Sequence, residues 1–166
     1  MECVAGGGQG DVGELTVELG RGMLLLRGMA DVGPREDVNE GKALDVWRKR
    51  RSAQGGDPDA KLPKATDSHI IRASQSGFIS KLEALSIGFA SWRLGAGRER
   101  KEDQVQFGAG VELHAQLGDH VKAGVPVMTL YTDTPARFER AIAIVATDIG
   151  FHKSKPPARK PKHGRG

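Results

Sequence analysis

The sequence predicts an α+β fold, with helices in the first third and a domain of short strands and helices behind them. Three observations predict it. Val12, Leu15, Leu19, Met23 and Leu26 recur at helical spacing. A stretch of loop composition, Leu62 to Ser68, marks the main boundary. Beyond it, short apolar runs are joined by Gly-Asp and Ala-Gly turns, which is the pattern of strands.

The elements follow in order. Asp11 is placed to cap the first helix, with Glu14 three residues later as an acidic variant of the capping box, and Gly28 as its stop. A shorter helix is expected from about Glu36 to Glu40. Another is expected from Ala43 to about Ala53, burying Leu44 and Trp47, and Gly55-Gly56-Asp57-Pro58 ends it. "HIIRASQSGFISKL" alternates like a hairpin bending at Ser76-Gly77. Leu85, Phe89 and Trp92 share one helical face, closed by Gly95-Ala96-Gly97. "RERKEDQVQFGAG" is polar and reads as a surface loop. "VELHAQLGDHVKAGVPVMTLYT" reads as short strands in a compact hairpin element. A last helix is expected from Arg137 to about Ile149, with Phe138, Ile142 and Val145 in phase. The end of the chain carries three prolines, one charge sign and no apolar payload, a composition that does not build a core.

Composition limits the function classes. The chain has 166 residues, 38% hydrophobic and 28% charged, and 23 glycines. No apolar run approaches the roughly 18 residues of a membrane span. No signal peptide is read at the N-terminus, and the single cysteine, Cys3, fits a reducing compartment, so a cytoplasmic location is expected. The net charge of +4 is uneven: six Lys or Arg and no acid lie between Phe151 and Gly166, leaving 19 basic against 21 acidic residues elsewhere. A domain-wide basic face for nucleic acid is therefore not expected.

Several residues invite a chemical role, and each has a plainer explanation. Gly6, Gly7, Gly8 and Gly10 precede a helix, as in a phosphate cradle, but no strand precedes them and no Lys-Ser/Thr follows. The Asp11 carboxylate would also repel an anion there. His114 and His120 flank a turn without the further ligands zinc needs. Ser74 and Ser76 lack the glycine spacing of a nucleophile elbow. Cys3 stands near the terminus. "WRKRR", Trp47 to Arg51, fits the solvated face of an amphipathic helix. "GDHVKAGVPVMTL" is worded like the turn of a biotinyl or lipoyl carrier domain, yet the Met-Lys or Asp-Lys tip that carries the cofactor is missing.

Ser76 to Asp103, "SGFISKLEALSIGFASWRLGAGRERKED", resembles the C-terminal region of thymidine phosphorylase and pyrimidine-nucleoside phosphorylase, most specifically at Leu94-Gly95-Ala96-Gly97-Arg98. Leu117-Gly118-Asp119, Val121, Ala123-Gly124 and Pro126 agree with it, as do "GGGQGDVGELTVELGRGML", "SAQGGDP" and "LPKA" upstream. The resemblance runs from about Val4 to Gly150. It implies three parts: residues 1–61, a helical segment completing the family's α/β domain; 62–150, a C-terminal α/β-hammerhead domain of barrel-sandwich type; and 151–166, a disordered basic tail.

The family reaction is reversible phosphorolysis. Phosphate attacks the anomeric carbon of a pyrimidine nucleoside, giving free base and a (deoxy)ribose 1-phosphate. The resemblance implies that the groups doing this, a Lys-Ser/Thr-Gly-Gly loop, a Ser-Gly-Arg signature and a base-binding helix, lie upstream of the region matched here. Neither Lys-x-x-Gly-Gly, Ser-Gly-Arg nor Thr-Gly-Gly-Thr occurs in this sequence. A partial phosphorylase, inactive alone, is therefore expected. No catalytic, cofactor-binding or metal-binding residue is assigned, and no cofactor is expected, with inorganic phosphate a co-substrate in the family. The family dimerises largely through a helical domain outside this match. Only Gly95 to Gln106 is given a supporting role, as a loop near the family's domain interface. Two rival classes stay open: a carrier-shaped module without its cofactor lysine, and an RNA-associated protein using the basic tail and "WRKRR".

Overall fold

A computed structural model describes residues 5, 7, 10–29, 33–98 and 100–157. The chain forms two compact units, Met1–Lys61 and Leu62–Gly166. Mixed helix and small antiparallel sheets make it α+β, as the sequence predicts.

Among its described residues the first unit holds the helices α1 (Gly10–Leu26), α2 (Pro34–Asn39) and α3 (Lys42–Ala53). Helix α1 starts at Gly10, so Asp11 lies in its first turn and not at the cap. Its end is a Schellman turn: the Met29 amide donates to the Leu24 carbonyl and the Gly28 amide to Leu25. The same pair of bonds closes α3, from Gly56 to Arg51 and Gly55 to Ser52. Helix α2 begins two residues earlier than expected because Pro34 occupies its first turn, where a missing N–H does no harm. Packing in this unit is thin. Leu44 and Trp47 are only half-buried. Val17 is the buried apolar residue of α1, while Leu15, Leu19 and Leu26 are 61%, 60% and 89% exposed.

The second unit holds the core. Its elements are β1 (Asp67–Arg72), β2 (Gly77–Leu82), α4 (Ala84–Ser91), β3 (Gly110–Leu113), β4 (His120–Val121), β5 (Pro126–Thr132), α5 (Phe138–Ala146) and β6 (Ile149–His152). They make two three-stranded sheets, in the orders β1-β5-β3 and β4-β2-β6. Ile79, Leu94, Val127, Met128, Leu130 and Val145 are essentially sealed from solvent between the sheets and helices.

This topology overturns two local expectations. "HIIRASQSGFISKL" is not a hairpin, because β1 pairs with β5 and β2 with β4 and β6. The bend between them docks on another turn instead of folding back. Ala73 donates to Val125 and accepts from Gly124, and the Ala123 amide donates to Ser76 Oγ. Likewise β3 and β4 do not pair. The chain leaves the first sheet after His114, whose amide still bonds Val127, and enters the second where Gly118 and Asp119 bond Ile79.

The helical face Leu85, Phe89, Trp92 also does not point into the core: Leu85 is 71% and Phe89 50% exposed. Small Ala90 and Ala141, both sealed, face inward where α4 packs on α5. The last helix stops at Ala146, and Ile149–His152 forms an edge strand on β2, so Phe151 and His152 belong to the folded unit and not to a tail from residue 151. The intervening turn is held by Asp148, whose carboxylate accepts from Lys81 Nζ on β2 and Ser86 Oγ on α4. Those hydrogen bonds, Lys81 first and Ser86 second, hold the Asp148 carboxyl below the ordinary carboxylate value. Among the described residues no helix is long and apolar enough to cross a membrane.

Candidate functional site

The structure disperses most residues singled out in the sequence. Cys3, Gly6 and Gly8 lie outside the described residues. His114 Nε2 and Thr129 Oγ1 share a hydrogen bond of 2.7 Å across the first sheet, while His120 sits edge-on to Phe78 at 4.9 Å in the second. Among the described residues no group of three His, Cys, Asp or Glu could hold a metal. Ser74 lies in the bend between β1 and β2, and Ser76 is spent on the Ala123 amide. In "WRKRR", Arg48 pairs with Asp59 at 2.9 Å, and Arg50 and Arg51 occupy the last turn of α3, where the helix dipole favours cations. Lys122 is exposed in the turn between β4 and β5.

One segment gathers polar groups into a concave surface: Gly95 to Gly108, which links α4 to β3. It is entered through a wide turn, Trp92–Ala96, in which Gly95 adopts φ +114°. A side chain there would be strained, and its Cβ would stand 2.9 Å from Gln106 Cδ. That closeness matters because Gln106 pins the far end of the loop. Its amide donates to the Gly95 carbonyl at 2.9 Å, and its Nε2 donates to Thr134 Oγ1 at 2.8 Å. Its Oε1 accepts from the Asp133 amide at 2.8 Å. Sealed Thr132, at the end of β5, completes the network by donating to the Leu94 carbonyl at 2.6 Å, with Gln106 Oε1 also in reach at 2.9 Å. The glycines of Leu94–Arg98 are therefore structural: Gly95 lets the turn lie on Gln106, and Gly97 makes room for the Trp92 ring. At the other end, a Cβ on Gly108 would collide with the Lys64–Ala65 backbone, which brings the start of the unit against the loop.

Two adjoining hollows result. One, of about 400 Å³, is lined by Arg93, Arg100, Asp103, Gln104, Arg137 and Arg140 among others. The other, of about 470 Å³, shares Asp103, Gln104 and Arg137 and reaches Lys64, Phe107 and Asp133. Phe107 is 82% exposed on its rim. Sequence reasoning named the loop but missed Arg137 and Arg140. They sit beyond β5, at the start of α5, and only the fold carries them to the loop.

Comparison with known proteins agrees with the earlier resemblance. Residues 78–152, which include this loop, match the pyrimidine nucleoside phosphorylase C-terminal domain. Over 159 residues the chain is 42% identical to thymidine phosphorylase of Mycobacterium tuberculosis H37Rv, a match covering 96% of this chain and 37% of that protein. It is 36% identical over 145 residues to a pyrimidine-nucleoside phosphorylase of Staphylococcus epidermidis, covering 81% of this chain and 34% of the relative. It is 34% identical over 144 residues to that of Bacillus subtilis, covering 80% and 33%. The chain thus spans between 33% and 37% of the length of these relatives. With a domain match in the sheet unit and a sequence match continuing through the helices ahead of it, the chain belongs to the thymidine and pyrimidine-nucleoside phosphorylases, as a C-terminal part of that family.

Proposed function

We propose that this chain is the C-terminal portion of a phosphorylase acting on pyrimidine nucleosides, and that it does not turn over nucleoside by itself. The observation that carries this is the 42% identity to a thymidine phosphorylase across both units. Phosphorolysis needs fixed donors around phosphate and a group that stabilises charge growing on the departing base. In this chain those groups have no counterpart by motif: neither Lys-Ser/Thr-Gly-Gly nor Ser-Gly-Arg occurs. Its own contribution would be architectural. The Gly95–Gly108 loop would present a preformed, polar edge to the rest of a longer enzyme. The exposed Leu15, Leu19 and Leu26 of α1 are suited to burial against further chain. The split of consecutive strands between two sheets supports a hammerhead-like, barrel-sandwich domain. Inorganic phosphate would enter as co-substrate, with no resident cofactor.

The test is base release from thymidine and from uridine in phosphate buffer, followed by ultraviolet absorbance. The purified chain is expected to release neither thymine nor uracil, and sustained turnover would refute its inactivity alone. A chimera in which this chain replaces the matched region of the Mycobacterium tuberculosis relative is expected to be active. A folded but inactive chimera would count against the family role. Because Lys122 is exposed in a carrier-like turn, intact mass is a useful check: an unmodified mass is expected, and a lysine-linked adduct would favour the carrier class.

A further inference from the structure

The hollow beside the wide turn has a composition that the family role does not call upon. Among the described residues, the guanidinium groups of Arg93, Arg100, Arg137 and Arg140 line a cavity of about 400 Å³, with the carboxylate of Asp103 and the amide of Gln104. The four come from three separate stretches: the turn after α4, the loop, and the start of α5. No local pattern would gather them. Like charges brought together repel, and this is costly unless an anion or solvent compensates. Among the described lining residues the carboxylate is Asp103, which accepts from the Arg100 backbone amide at 2.8 Å. Among the described residues, Arg100, Arg137 and Arg140 make no ion pair. Arg93 is held over the Trp92 ring, its guanidinium carbon 4.6 Å from the centroid. Arg137 lies against Gly95, where a Cβ would come within 3.2 Å of Nη1, so the turn that fixes the loop also places this cation.

We propose that this cavity binds a phosphate dianion, either free or as the phosphate of a small phosphomonoester. Planar guanidiniums present paired N–H donors that match phosphate oxygens, and several around one concave site give charge and geometry together. The volume lies within the range of small-molecule sites and exceeds that of a bare phosphate. Asp103 and Gln104 supply an acceptor and an amide on the same wall, which suits hydroxyl groups on a phosphomonoester body. The proposal stands on these residues alone and does not depend on the chain's part in phosphorolysis.

Isothermal titration calorimetry of the full chain tests it, with inorganic phosphate and ribose 5-phosphate as probes and chloride as the charge control. Saturable binding of either phosphate probe below about 10 mM is expected, weakened by added salt. Tighter binding of ribose 5-phosphate identifies a phosphomonoester site, and equal or tighter binding of inorganic phosphate identifies a free-phosphate site. Arg140→Gln and Arg100→Gln lie on exposed side chains and are expected to fold normally, each weakening binding about tenfold. Arg51→Gln, on α3, is the charge-matched control and is expected to leave binding unchanged. No saturable binding of either probe overturns the site, as does binding that Arg140→Gln and Arg100→Gln leave within about twofold of the parent.

Discussion

Thr132→Val tests the network that fixes the loop. The two side chains are nearly isosteric, so packing is kept and the hydroxyl alone is lost. Thr132 is fully sealed and donates to the Leu94 carbonyl at 2.6 Å, while accepting from the Thr134 amide at 3.1 Å. Leu94 is sealed as well, so water cannot replace the lost donor there. Leaving a buried polar group without a partner costs about 1–3 kcal/mol. Thr134 and Gln106 are only half-buried and can turn to solvent, so the Leu94 carbonyl dominates and about 2 kcal/mol is expected. For a unit of roughly 100 residues that lowers Tm by about 8–16 °C. The assay is urea and thermal unfolding followed by tryptophan fluorescence in a Trp47→Phe background, which leaves Trp92 as the reporter beside the loop. Gln106→Leu serves as the second arm of a double-mutant cycle. Because both residues act in one network, their effects are expected to fall short of additive by about 0.5 kcal/mol or more. A Thr132→Val loss below about 0.5 kcal/mol, or strict additivity with Gln106→Leu, would refute the assignment of Thr132 as the anchor.

Gly95→Ala combines a strained φ with a Cβ pressed on Gln106, and should destabilise the second unit by about 2 kcal/mol or more, read in the same unfolding assay. Asp148→Asn should weaken the link between β2, α4 and the α5–β6 turn, with a pH signature. The folded carboxyl titrates below its unfolded value, so its stabilisation is complete above the unfolded pKa and is lost as pH falls through the folded one. Parent and variant should therefore differ most near neutrality and converge below about pH 4; a gap that is constant down to pH 3 would contradict the ion-paired role. Hydrogen exchange should protect amides of β5 and α5 far more than those of α1, since the sealed core lies in the second unit. Equal protection in both would show that the first unit is better packed than its exposed leucines indicate.

Local signals carried the helices. Helical spacing from Val12 to Leu26, together with glycines positioned to close Schellman turns, describes α1 and α3 almost to the residue. Those signals act within a few residues of each other, so the sequence alone contains them. The loop at Leu94–Arg98 was also legible, since two glycines around a small residue leave the backbone little other use than a close turn.

Strand partners were not legible. β1 and β2 alternate like a hairpin, yet each finds its partners dozens of residues away, because burying Ile79 and the whole run from Val127 to Leu130 in one core shared by two sheets removes more apolar surface than a lone hairpin could. The same long-range closure exposes Leu85 and Phe89 and turns Ile149–His152 from a helix end into an edge strand. It also decides the arginine-lined hollow. Arg93 and Arg140 stand 47 positions apart in the sequence, and nothing in either neighbourhood announces the other. Periodicity and turn chemistry are properties of short segments, whereas the gathering of charge around a cavity depends on which strands pair.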